Sequence, residues 1–148
     1  METDPNLERL RQRLDVEAGI EPRAFSPLWD GWEALLALAE VSGQAIWLWD
    51  FAASLGWWSP PLWQLLDLEP GDREPSPHTL YRETHPDDCE ELAAHILRQP
   101  QALAAESFQC RLWCGRAGYL PVTIRVRACA DTLGRPTRLV GCIEPGGE

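Results

Sequence analysis

The sequence predicts an α+β domain in which helices gather against one face of an antiparallel sheet. Three observations predict it. Leu120, Val122, Ile124, Val126 and Ala128 are spaced two apart, with polar residues mostly between them, as in a strand with one buried face. Hairpin signals join the last three strand patterns: Gly115 to Gly118 follows SFQCRLWC, and DTLGRP separates YLPVTIRVRACA from RLVGCIE. Helical segments lie between these strands and an earlier aromatic-rich pair, so the order is helix, two strands, helices, three strands.

The elements follow in chain order. Asp4-Pro5 reads as an N-cap with proline at the first helical position, and Leu7, Leu10 and Leu14 then recur at helical spacing up to Gly19. That apolar stripe is too narrow to make a core, so it must lie on its own domain or on a second copy. IEPRAFSPLW holds two prolines and reads as a linker. Asp30 with Glu33 makes a capping box for a helix to Val41, whose Trp32, Leu35, Leu36 and Ala39 share a face. Ser42-Gly43 stops it. AIWLWD and LGWWS, rich in aromatic and branched residues, are two strands. Ser59-Pro60 opens a short helix through Trp63, Leu65 and Leu66. EPGDREPSPH is loop. THPDDCEELAAHILRQ is the clearest helix: proline in the first turn, then Asp87, Asp88, Glu90 and Glu91 at the positive end of the macrodipole. Its apolar face is Cys89, Leu92, Ala93, Ile96 and Leu97.

Composition bounds the function. The 148 residues suffice for one domain and a short extension. A formal charge of −10 repels phosphate backbones, which argues against nucleic acid as a partner. The polar METDPNLERLRQRLD start lacks a signal-peptide core, and no apolar run approaches a membrane span, so the expected location is cytoplasmic. Cys89, Cys110, Cys114, Cys129 and Cys142 are odd in number with no C-x-x-C, the pattern of free thiols. About 13 Å along one strand separates Cys110 from Cys114, too far for a disulfide or a shared metal. No ligand set has metal spacing, no glycine-rich phosphate loop or nucleophile elbow is present, and no residue is assigned a catalytic role.

Together these segments resemble a PAS domain of the fold-3 type found in bacterial signalling proteins. The resemblance rests on WLWD (Trp47 to Asp50), WSPPLWQLLDL (Trp58 to Leu68), HPDD (His85 to Asp88), FQCRL, Gly118 and GRPTRLVG (Gly134 to Gly141), over about residues 32 to 144. Three departures stand out. The usual Trp after the glycine turn is replaced by Pro121-Val122, where proline should loosen or bulge the ladder. The closing Asp-x-Thr is replaced by IEPGGE, as in a chain cut from a larger protein or a stand-alone module. Leu48 replaces an acid and makes that sheet face oilier.

The resemblance implies a five-stranded sheet. Residues 1–28 would form a capping or dimerisation helix and linker, and residues 29–148 the PAS domain. It implies a sensor upstream of an output domain such as a histidine kinase or a diguanylate cyclase, working as a homodimer, with no catalysis in this chain. A ligandless interaction module and a small α+β enzyme are the alternatives. Any small-molecule ligand would lie between helices and sheet, lined by Trp49, Trp63, Ile96, Phe108 and Val126. On the opposite face Ile46 and Leu48 would meet the Leu7, Leu10 and Leu14 stripe, in its own chain or across a dimer. Five of the eight tryptophans fall between Ala45 and Leu66; filling the core is their leading role, and lining a site for a flat ligand is the alternative. Absence of a cofactor is the leading expectation. The Asn-Cys-Arg-Phe-Leu motif of flavin photosensors is missing, which leaves only non-covalent flavin open. Haem is disfavoured: His95 lies about 130° round the helical wheel from the apolar centre and should face solvent. His78 falls in the proline-rich loop, and His85 reads as a helix-entry residue.

Overall fold

The computed structural model describes Asn6, Arg9 and residues 31–131 and 133–146, with the side chains of 31–36 left aside. Leu7, Leu10, Leu14, the linker and Asp30 lie outside the described residues. Asn6 and Arg9 are helical.

Helix α1 is Gly31–Ser42. It stops where Gly43 takes φ +65°, a conformation glycine adopts without penalty, and donates its N–H to the Ala39 carbonyl at 3.2 Å. Strands β1 (Ala45–Asp50) and β2 (Leu55–Trp58) follow, then α2 (Pro60–Leu65), α3 (Pro77–Glu83), a 3₁₀ turn at Pro86–Asp88 and α4 (Cys89–Ile96). The chain closes with β3 (Ala105–Trp113), β4 (Tyr119–Ala130) and β5 (Pro136–Pro145). All five strands form one antiparallel sheet in the order β2-β1-β5-β4-β3, with β1 between its hairpin partner and the last strand. The order explains why AIWLWD is apolar throughout: flanked on both edges and covered on both faces, all six of its residues are buried.

The helical face of the sheet carries Trp47 and Trp49 of β1, Trp58 of β2, Phe108, Cys110 and Leu112 of β3, Val122, Ile124 and Val126 of β4, and Leu139 and Ile143 of β5. All are in one core cluster with Leu62, Trp63, Leu80, Leu92 and Ile96 from the helices and Leu66 just past α2. Period two on each strand and the helical period on α4 put these residues together. Ser59 lets the chain turn from β2 into α2. Its N–H donates to the Ile46 carbonyl, and its Oγ accepts from Ile46 N (2.8 Å) and donates to the Gln44 carbonyl (3.0 Å). A side chain thus extends the ladder while Pro60 starts the helix, which is the physical content of WSP.

Three expectations are corrected. β4 runs through Pro121 without a register shift; the irregularity lies at Cys129/Ala130. The carbonyl of Pro121 accepts from Gly146 N at 2.8 Å, so its missing N–H points to the same side, where β5 has already ended. No ladder bond is lost. Second, the proline-rich stretch is loop only to Ser76: α3 starts at Pro77, with Ser76 Oγ accepting from Thr79 N at 3.2 Å. His78 is therefore a helical, exposed residue. Third, the long helix is divided, its first turn being 3₁₀, because His85 Nδ1 caps Asp87 N at 3.1 Å.

Candidate functional site

The five residues expected to line a ligand site converge. Trp49, Trp63, Ile96, Phe108 and Val126 all belong to the helical-face cluster and are all buried. Trp58 and Trp63 pack with centroids 4.7 Å apart and planes tilted 52°, and Trp49 meets Phe51 edge-on at 6.4 Å. Trp47 lies over Gly141, and its Nε1, fully buried, has no hydrogen-bond partner among the described residues. Open clefts adjoin this core. Val126 helps line one of about 330 Å³ beside the end of α4, and Trp63 one of about 380 Å³ beside α2.

HPDD is a clasp between α4 and β3. Thr84 bridges to Leu112, and His85 N donates to the Arg111 carbonyl at 2.8 Å. The Asp88 carboxylate accepts from Arg111 N (2.8 Å), Nε (2.9 Å) and Nη2 (3.1 Å). It thereby covers part of the edge of β3 that would otherwise invite pairing. The Arg111 side-chain hydrogen bonds hold the Asp88 carboxyl below its ordinary 3.8, against a smaller opposing push from burial. A carboxyl whose folded value is depressed stabilises the fold above its unfolded value and loses that contribution as pH falls through the folded value. Acid unfolding below about pH 4 should therefore steepen through Asp88. Asp88→Asn should flatten that limb in urea titrations from pH 7 to 2; an unchanged limb would remove Asp88 from the account.

His95 departs from its expected place. It is half-buried, its ring stacked on Phe108 at 4.3 Å and 5°, with Nδ1 2.6 Å from Glu106 Oε2. The wheel counts only the apolar residues of α4 itself, whereas β3 begins alongside the last turn of α4 and covers His95 there. Haem ligation by His95 would require breaking this contact. Neither Cys89 nor Cys110 is poised for a flavin adduct. Cys89 Sγ donates to the Tyr81 and Thr84 carbonyls at 3.7 and 3.6 Å. The inward Cys110 thiol is pushed up to about 12, by burial first and by nearby acids second, and so stays protonated and non-nucleophilic. Among the described residues no group of His, Cys, Asp and Glu could hold a metal, and no helix is long and apolar enough to cross a membrane.

On the opposite sheet face Ile46 and Leu48 are each 6% exposed and cluster with Trp57 and Ala39, the latter from α1. Leu55, Val140 and Cys142 pack against them. Next to this cluster an open cleft of about 570 Å³ is lined in part by Ile46, Val140, Arg125 and Arg127. Asp50, 1% exposed, pairs on this face with its cross-strand neighbour Arg138 (Oδ2 to Nε, 3.3 Å) and accepts from Ala53 N at 3.0 Å. The sequence reading assigned no role to this pair. Asp50 and Arg138 lie 88 residues apart and meet only through the β1–β5 register.

A 2-1-5-4-3 antiparallel sheet with α2 to α4 packed on one face is the architecture of PAS domains. Comparison with solved structures gives the same answer. The chain resembles an RNA-binding light-oxygen-voltage receptor at 22% identity and TM-score 0.59, over 68% of this chain and 28% of that one. It resembles the PAS/PAC sensor domain of a diguanylate cyclase from Marinobacter aquaeolei at 20% identity and TM-score 0.58, over 68% and 92% of the two chains. A sensory box histidine kinase/response regulator from Burkholderia thailandensis matches at 19% identity and TM-score 0.56, over 75% and 82%. No family model and no curated relative matches the sequence. The fold is the PAS fold.

Proposed function

We propose that this chain is a sensory PAS-fold domain of a signalling protein, in which events in the helical-face core reach a partner through the sheet. The observation that carries the reading is the double burial of β1. Trp47 and Trp49 pack under the helices, while Ile46 and Leu48 of the same strand are buried on the other side. A shift in the indoles must move the strand, and with it the contacts of the far face. A ligand that favours one packing would shift the population between the two arrangements. In this reading Trp49, Trp63, Ile96, Phe108 and Val126 border the ligand. The segment carrying Leu7, Leu10 and Leu14 covers Ile46 and Leu48, within one chain or across a homodimer, and any catalysis belongs to an output domain. Histidine kinases and a diguanylate cyclase among the resembling proteins make such outputs the ones to look for.

A second reading has its own observation. Trp47, Trp49, Trp58 and Trp63, each at most 8% exposed, occupy space where a ligand would lie, as in a module that only mediates association. Thermal-shift screening with small metabolites, with absorbance spectra of the purified protein to reveal flavin, separates the two, because a binder raises the melting temperature by mass action. The full chain and a form lacking residues 1–20 should be compared by analytical ultracentrifugation and melting. Deletion is expected to uncover the Ile46, Leu48 and Trp57 patch and to change the mass or lower the melting temperature. If both stay the same, residues 1–20 are not the cover.

A further inference from the structure

We propose that the cleft beside the end of α4 binds a small aliphatic α-amino acid. The inference rests on the sensor reading above, places the ligand at the edge of that core, which it meets at Val126, and gives it a ligand class. The cleft, about 330 Å³, is lined by the buried apolar Val126, Ala128 and Leu139 and by the exposed, oppositely charged Arg98 and Glu106. These two opposite charges share the cleft without forming an ion pair with each other. Arg98 has no ion pair among the described residues and is exposed. Glu106 is fixed: Oε2 lies 2.6 Å from His95 Nδ1, and the His95 ring is stacked flat on the buried Phe108. Its Oε1 is left available. A carboxylate held in place by a neighbour loses little freedom on binding and makes a preorganised acceptor.

An α-amino acid satisfies all three surfaces at once. Its carboxylate accepts from the Arg98 guanidinium, its ammonium donates to Glu106, and a branched aliphatic side chain lies on Val126, Ala128 and Leu139. In a chain of net charge −10, a simple anion meets long-range repulsion, whereas a zwitterion does not.

The test is a titration of the full chain with L-leucine, followed by amide chemical shifts and by melting temperature. Two analogues each lack one charge: 4-methylpentanoate has no ammonium, and 3-methylbutylamine has no carboxylate. Saturable shifts confined to residues around 94–106 and 126–139 are expected. Each analogue, and each of Arg98→Gln and Glu106→Gln, should weaken binding by about tenfold or more. Arg98 is exposed at a helix end, so its variant folds normally. The proposal is overturned if leucine produces no saturable change, if Arg98→Gln binds as tightly as the wild type, or if either analogue matches leucine. Stabilisation by some other metabolite while leucine is silent would remove the amino-acid assignment and leave the sensor reading; silence towards every compound would remove both.

Discussion

Gly141→Ala is expected to destabilise the domain by about 3 kcal/mol, at the upper end of the cost of overpacking a core. A Cβ at position 141 would fall on the Trp47 indole, onto Cε2 and within 2.5 Å of Cζ2 and Nε1. Gly141 and Trp47 are direct cross-strand partners on β5 and β1, so the added methyl projects from the same face as the ring. The ring has nowhere to go. Trp47 is 1% exposed, and on its other side it faces Trp58 of β2, itself 2% exposed. Either the indole leaves its well or β5 moves away from β1, and that register joins the two halves of the sheet. Trp47→Leu alone should also cost several kcal/mol by leaving a cavity. The double variant should cost less than the sum of the two, by about 1–3 kcal/mol, because the space vacated by the ring accommodates the methyl. Urea unfolding followed by far-UV circular dichroism reads all three. A Gly141→Ala variant within 0.5 kcal/mol of the wild type, about the size of an ordinary surface effect, would mean that Trp47 does not lie there.

That contact also shows what a sequence can disclose. AIWLWD and YLPVTIRVRACA announce their strands to the residue, because a fully buried strand needs uninterrupted apolar bulk and a half-buried one needs alternation. The periods put Trp49, Ile96, Phe108 and Val126 on the apolar faces of their elements, and the resemblance brings those faces together with Trp63. Which residue faces which across the sheet does not, since register is a property of two distant segments. The bulge expected at Pro121 is absent because a missing donor weakens a ladder only where it points at a paired strand, a direction set by the register. α3 was missed although Ser76-Pro77 repeats the Ser59-Pro60 signature: only Thr79 and Leu80 of its non-proline residues are buried, too few to show a period among three prolines. The cleft of Arg98 and Glu106 is assembled from the end of α4, the connection after it and three strands, and no motif spans those pieces.

Asp50→Ala is expected to cost about 3–5 kcal/mol, the usual result of removing one partner from a buried ion pair. The carboxylate is 1% exposed, and its partner Arg138 has a side chain only 16% exposed. Oδ2 takes the Arg138 Nε at 3.3 Å and Oδ1 takes Ala53 N at 3.0 Å, so one side chain ties β1 both to β5 and to the turn leading into β2. Truncation takes the Asp50 carboxylate away from the Arg138 guanidinium in a largely dry position and leaves the Ala53 backbone donor without its acceptor. Replacing both residues is a different experiment. Leu48 and Val140 flank the pair on the same face, and a Leu at each of positions 50 and 138 would extend their cluster. The double variant should recover most of the loss, since well-packed apolar residues often match a buried pair in stability. If stability were the pair's only use, such a substitution would be harmless to the whole protein. In the sensor reading it is not, because Asp50 and Arg138 lie on the sheet face that meets the cover and set the register through which β1 moves with β5. The expected outcome is a double variant that melts near the wild type yet no longer changes its melting temperature or mass when residues 1–20 are removed. Recovery of stability with an unaltered response to that deletion would show that the pair only holds the strands together, and that the far face is coupled by other contacts.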